Sequence, residues 1–123
     1  GLGPDGGASW LLSRQVGYSR ALEIATSGKK VTGNKCLELG LTNRIVGQDD
    51  ILSNAQAWAE DFAIRPTLAI GIAKEDMFFA MDHTLNESIA FEAKKQIDAF
   101  KSHDLKEGVS AFIEKRKPDF LGK

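Results

Sequence analysis

The sequence predicts a mostly helical fold with one short strand, and three observations carry that prediction. Apolar residues recur at spacings of three and four, as in Ile51, Ala55, Trp58, Ala59 and Phe62, which puts them on one face of a helix. Helix start and stop signals punctuate these runs. Thr84-Leu85-Asn86-Glu87 has capping-box spacing, Pro66 suits a first helical turn, and Gly17 and Gly28 close helical stretches. Only Leu41-Thr42-Asn43-Arg44-Ile45-Val46 reads as a strand: it is short, β-branched at its end and followed by Gly47.

In chain order, a Gly/Pro-rich turn over residues 1–7 carries one carboxylate, Asp5, and leads into a helix bearing Trp10, Leu11 and Leu12. A second helix is expected over Tyr18 to Ser27, with Ala21, Leu22, Ile24 and Ala25 on its buried side, and a short third one from Asn34 to Leu39. After the strand, Asp49 or Asp50 can cap the helix of the Ile51–Phe62 stripe. The helix after Pro66 is apolar over more than one side (Leu68, Ala69, Ile72, Ala73, Met77, Ala80), so it is expected to be covered on both. Leu85, Ile89, Ala93, Ile97 and Phe100 mark a long helix, and Ser102 or Asp104 can cap a last one with Val109, Phe112 and Ile113 facing inward. Lys115, Arg116 and Lys117 fall in its final turn, where cations suit the dipole, and Pro118 stops it.

The 123 residues fit one domain or part of one, and 42% hydrophobic content suffices for a core. A net charge of −1 argues against electrostatic binding to nucleic acid or a membrane surface. A single cysteine, Cys36, excludes an intrachain disulfide framework and fits a reducing compartment. No apolar run approaches the ~20 residues that span a bilayer, and no secretory signal pattern is seen, so the protein is not expected to be secreted. The chain opens on Gly1 with no initiator Met, which is expected of a cut end with an N-terminal portion missing.

Chemical motifs are sparse. His83 and His103 stand alone, without ligand partners at metal-binding spacing, so no metal is expected. There is no P-loop, no dinucleotide-binding glycine motif and no Ser–His–Asp pattern. Asp5 reads as a turn former, a helix cap or a proton-transfer group beside an apolar surface. Trp10 reads as core or as the wall of an acyl pocket. The Lys115–Lys117 cluster reads as a solvated helix end or a ligand site.

Three stretches, taken together, resemble the C-terminal part of the crotonase (enoyl-CoA hydratase/isomerase) superfamily. They are Gly1-Leu-Gly-Pro-Asp-Gly-Gly-Ala-Ser-Trp-Leu-Leu-Ser-Arg-Gln-Val-Gly17 with Gly28-Lys29, then Leu37-Glu-Leu-Gly-Leu-Thr-Asn-Arg-Ile-Val46, and Ser102 through Phe120. They occur in the family's order and approximate spacing. Cys36 departs from a usual Ala, and Ser13 from a frequent Pro. The resemblance implies a C-terminal helical region of a crotonase-like fold, with the N-terminal ββα spiral core absent. Residues 1–65 would be the end of the core-proximal region, and residues 66–123 the helices for oligomerisation and CoA contact.

It also implies activity on acyl-CoA thioesters through an enolate, as an enoyl-CoA isomerase or hydratase in the complete protein. Both backbone donors of the family's oxyanion hole come from the spiral, so the 123-residue piece alone is expected to be inactive. Asp5 matches the position of a catalytic acid/base in the Pro-Asp-Gly relatives. Lys115, with Lys117 as a second candidate, matches a lysine that approaches the CoA phosphates. Phe112 and Phe100 would support that helix or flank the adenine, and Trp10 would wall the acyl slot. No separate cofactor is implied, because coenzyme A is part of the substrate. A homo-oligomer, a trimer or dimer of trimers, is implied, in a bacterial cytoplasm, mitochondrion or peroxisome. The alternative is a non-catalytic helical module of crotonase-like origin, used for oligomerisation or partner binding.

Overall fold

A computed structural model describes all residues, Gly1–Lys123, and every regular element in it is helical. The chain divides into two compact units, Gly1–Ile51 and Leu52–Lys123.

In the first unit, α1 (Ala8–Val16) and α2 (Tyr18–Ser27) pack against each other across a single residue, Gly17. Gly17 donates to the Ser13 carbonyl at 3.0 Å to close α1 and accepts from the Ala21 amide at 3.0 Å to open α2. Its φ of 81° is left-handed, which a Cβ would oppose, so glycine makes the sharp joint possible. Ala21 is the buried residue of this pair. The short α3 (Gly33–Glu38) is capped by Thr32, whose hydroxyl accepts from the Lys35 amide. Gln15 on α1 donates to the Gly40 carbonyl at 2.6 Å and ties α1 to the end of α3. A 3-10 turn, Gln48–Asp50, leads into α4 (Ile51–Ala63).

In the second unit, α5 (Thr67–Ala80) packs on α6 (Leu85–Lys101), and α6 on α7 (His103–Glu114). Stacked rings fasten the first pair: Phe79 lies 4.1 Å from Phe91 at an interplanar angle of 2°, and His83 stacks on Phe79 at 3.6 Å. A Lys95–Glu75 ion pair bridges the same helices. α6 starts with the full capping box of Thr84 and Glu87, as the spacing predicts. Ser102 ends α6 and caps α7, its hydroxyl accepting from the Leu105 amide at 3.0 Å.

The strand expected at Leu41–Val46 does not form, and the fold class is corrected from mostly helical with a strand to all-helical. A strand is stabilised by ladder bonds to a neighbour, and these residues bond locally instead. The Leu41 and Thr42 amides both donate to the Cys36 carbonyl at the end of α3 (2.8 and 3.4 Å), and the Thr42 hydroxyl donates to the Arg44 carbonyl at 3.2 Å. Helix ends also shift. α5 begins after Pro66 rather than on it, and α7 ends at Glu114, so Lys115–Lys117 lie beyond its last turn. Asp104 caps nothing; Ser102 alone does.

The buried apolar residues are Ala21, Ile72 and Ala111, and no large side chain is fully enclosed. The double cover expected for α5 is met on one face only, since Met77 and Phe78 are exposed on this helix. Val109, Phe112 and Ile113 of α7, expected to face inward, are all exposed as well.

Candidate functional site

The site begins at the N-terminal turn. Gly6 and Gly7 hold left-handed φ values of 57° and 86° and fold the chain into α1, so that the Asp5 carbonyl accepts from the Ala8 amide at 2.9 Å. The turn thereby uses the backbone of Asp5 and leaves its carboxylate without a hydrogen bond or ion pair, since Gly7 rather than Asp5 occupies the cap position of α1. Beside it runs a groove of about 510 Å3. Pro4 and Ala8, on either side of Asp5 in sequence, line it, together with Leu12 of α1 and Tyr18, Ala21 and Leu22 of α2. Leu12 and Leu22 make its walls apolar; Asp5 is exposed and does not itself line it, although its neighbour Pro4 does. Such a groove can accept an apolar chain.

Trp10 is half-buried but does not line this groove. Its indole lies under the Arg14 guanidinium at 3.8 Å, a cation–π contact within α1.

The three residues expected to meet CoA cluster at the end of α7. Lys115 is the C-cap in left-handed conformation at φ 54°, and its amide donates to the Ala111 and Phe112 carbonyls. It is the non-glycine residue with positive φ in the chain. Lys117 is exposed and unpaired, and Phe112 is 85% exposed. Between the two lysines, Arg116 turns away and grips Glu107 with both terminal nitrogens (2.5 and 2.9 Å) and Glu114 with Nε at 2.7 Å. The cluster therefore offers two free cations rather than three.

Sequence reasoning missed the acidic clasp on α7. Asp104, 4% exposed, accepts from the Leu121 amide at 2.7 Å and the Gly122 amide at 2.9 Å, while its own amide donates to the Lys123 carbonyl. Burial pushes the Asp104 carboxyl up, but the two amides and His103 outweigh it and hold the pKa below its ordinary value. One turn on, Glu107 is held down to about 2, first by Arg116 and then by the Asp119 amide. Two carboxylates at i and i+3 thus fold residues 118–123 back along α7. The spacing was visible, but nothing in the tail's composition announced what the acids would hold. No group of three or more His, Cys, Asp or Glu side chains is placed to hold a metal ion. No helix is long and apolar enough to cross a membrane.

Comparison with known proteins supplies the family. The profile described as Enoyl-CoA hydratase/isomerase matches residues 1–123. The chain belongs to the enoyl-CoA hydratase/isomerase family. This family member is 37% identical over 123 residues to 1,2-epoxyphenylacetyl-CoA isomerase of Escherichia coli (strain K12), covering 100% of the chain and 47% of that protein. It is 34% identical over 120 residues to a probable mitochondrial enoyl-CoA hydratase of Dictyostelium discoideum, covering 98% and 43%. Its backbone matches a Geobacillus kaustophilus HTA426 structure described as enoyl-CoA hydrates subunit I with a TM-score of 0.95 at 36% identity, covering 99% of the chain and 48% of that structure. The chain spans about half the length of the relatives it matches. That share fixes how much of the family's fold is present and not which end, so the expected C-terminal placement, with an absent N-terminal spiral, is withdrawn.

Proposed function

We propose that this chain is part of an enzyme that acts on acyl-CoA thioesters through an enolate, catalysing enoyl-CoA isomerisation or hydration when complete. The observation that carries the reading is an apolar groove lined by Pro4 and Ala8, in the same turn as the free carboxylate of Asp5. Family membership over the whole chain supports it. In this reading the groove takes the acyl chain, and Asp5 exchanges protons with the carbons next to the thioester. Trp10, which does not line the groove, holds Arg14 along α1.

Lys115 and Lys117 meet the CoA phosphates as point charges, with Phe112 beside them. No separate cofactor is needed, because coenzyme A arrives with the substrate. The enzyme assembles as a homo-oligomer, a trimer or a pair of trimers, and works where acyl-CoA is made or consumed: bacterial cytoplasm, mitochondrion or peroxisome. Spanning half the length of its relatives, the 123-residue chain alone turns over thioesters poorly.

The test is Asp5→Asn in the complete protein. Turnover of an enoyl-CoA thioester is expected to fall about 100-fold or more, the usual size of a general acid–base contribution. Unchanged turnover removes Asp5 from the mechanism. A second reading, a non-catalytic helical module, is favoured by the uncovered apolar faces of α5 and α7. Calorimetry with an acyl-CoA thioester separates the two, since a purely structural module gives no binding heat.

A further inference from the structure

A second groove, of about 450 Å3, lies in the first unit between the end of α2 and α3. Four cations line it, Arg20, Lys29, Lys30 and Lys35, against one carboxylate, Glu23. The lining therefore carries a net +3, whereas the other residues carry 12 basic and 16 acidic side chains. Positive charge is concentrated in one concavity of an otherwise acidic chain. Arg20, Lys29 and Lys30 form no ion pair, even though Glu23 stands one turn from Arg20; only Lys35 is engaged, with Glu38 at 2.5 Å.

Two lysines beyond the C-cap suit the negative end of α2. The dipole does not account for Arg20 in the first turn of that helix, nor for the concave floor. Ile24, Val31 and Leu39, each half-buried, make that floor apolar. The backbone around the groove is fixed. Ser27 accepts from the Lys29 amide at 3.3 Å, and Thr32 accepts from the Lys35 amide at 3.3 Å. Like charges held together in this way repel, and an anion between them relieves the repulsion.

We propose that this groove binds a small organic phosphate carrying at least two negative charges, at a site separate from the Asp5 groove. Arg20 meets phosphate oxygens with its planar fork, and Lys29 and Lys30 meet them as point charges. The apolar floor receives the organic body. The proposal does not depend on the thioester reading, since no residue placed in that reading lines this groove.

The experiment is calorimetric titration of the protein with inorganic pyrophosphate at low and at raised salt. Saturable binding with one site is expected, weakening as salt screens the cations. Lys29→Gln with Lys30→Gln should weaken it about tenfold, the sum of two exposed charge contacts. Glu23→Gln should tighten it, because the one opposing carboxylate is gone; this sign is not produced by a folding defect. Lys94→Gln, on α6, should leave it unchanged.

No saturable heat overturns the proposal, as does a Lys94→Gln loss equal to that of the double variant, or weaker binding by Glu23→Gln. Sedimentation with phosphatidylserine vesicles that pyrophosphate fails to displace also overturns it, in favour of a lipid surface. Circular dichroism of each variant confirms that the helices are kept.

Discussion

At the scale of single residues, Lys115 is held in a conformation that side chains avoid. A left-handed residue with a Cβ costs about 1 kcal/mol, and the position after a helix is where glycine ordinarily stands. Lys115→Gly should therefore raise the melting temperature by a few degrees while weakening acyl-CoA affinity, if the ammonium meets the phosphates as proposed. A rise in stability with unchanged affinity assigns Lys115 to helix termination alone. Glu107 gives a pH prediction. Its pKa falls from 4.5 to about 2 on folding, so its stabilisation is complete above 4.5 and is lost as pH falls from there toward 2. Glu107→Gln should flatten the melting curve's dependence on pH across that window, measured by thermal unfolding at constant salt.

At the scale of elements, caps were the most legible feature. Thr84 and Glu87 form the box that their spacing foretold, and Thr84→Ala should cost about 1 kcal/mol in chemical denaturation. Gly28 ends α2 in left-handed conformation, as its position after the helical run suggests. Caps are legible because they depend on bonds within four residues. The strand at Leu41–Val46 was misjudged because a strand is decided by a distant partner, and here Cys36, close in sequence, captured the amides first. The helix after Pro66 forms, but of its expected inner face only Ile72 is buried and Leu68 half-buried, while Ala69, Ala73, Met77 and Ala80 are exposed, because apolar pattern reports what wants cover and not what supplies it. Asp5 was legible as a residue; its free carboxylate followed only from Gly7 taking the cap position. The Asp104–Glu107 clasp was illegible because an irregular tail carries no period.

At the scale of the whole molecule, the small buried set and the many exposed apolar side chains describe helices whose outer faces await a neighbour. The chain alone is expected to associate with rising concentration, as followed by sedimentation velocity. Phe112→Ser should reduce that association without lowering the melting temperature, because a ring 85% exposed contributes little packing inside the chain. An equal loss of both places Phe112 inside the fold and removes it from any contact surface. Asp5 is exposed, and its sequence neighbour Pro4 lines the first groove.

The clasp has a practical corollary. Both amides that satisfy Asp104 belong to residues 121 and 122, and the Lys123 carbonyl receives the Asp104 amide in return. Removing residues 121–123 would strip a nearly enclosed anion of its donors and loosen the first turn of α7, although no helical residue had been cut.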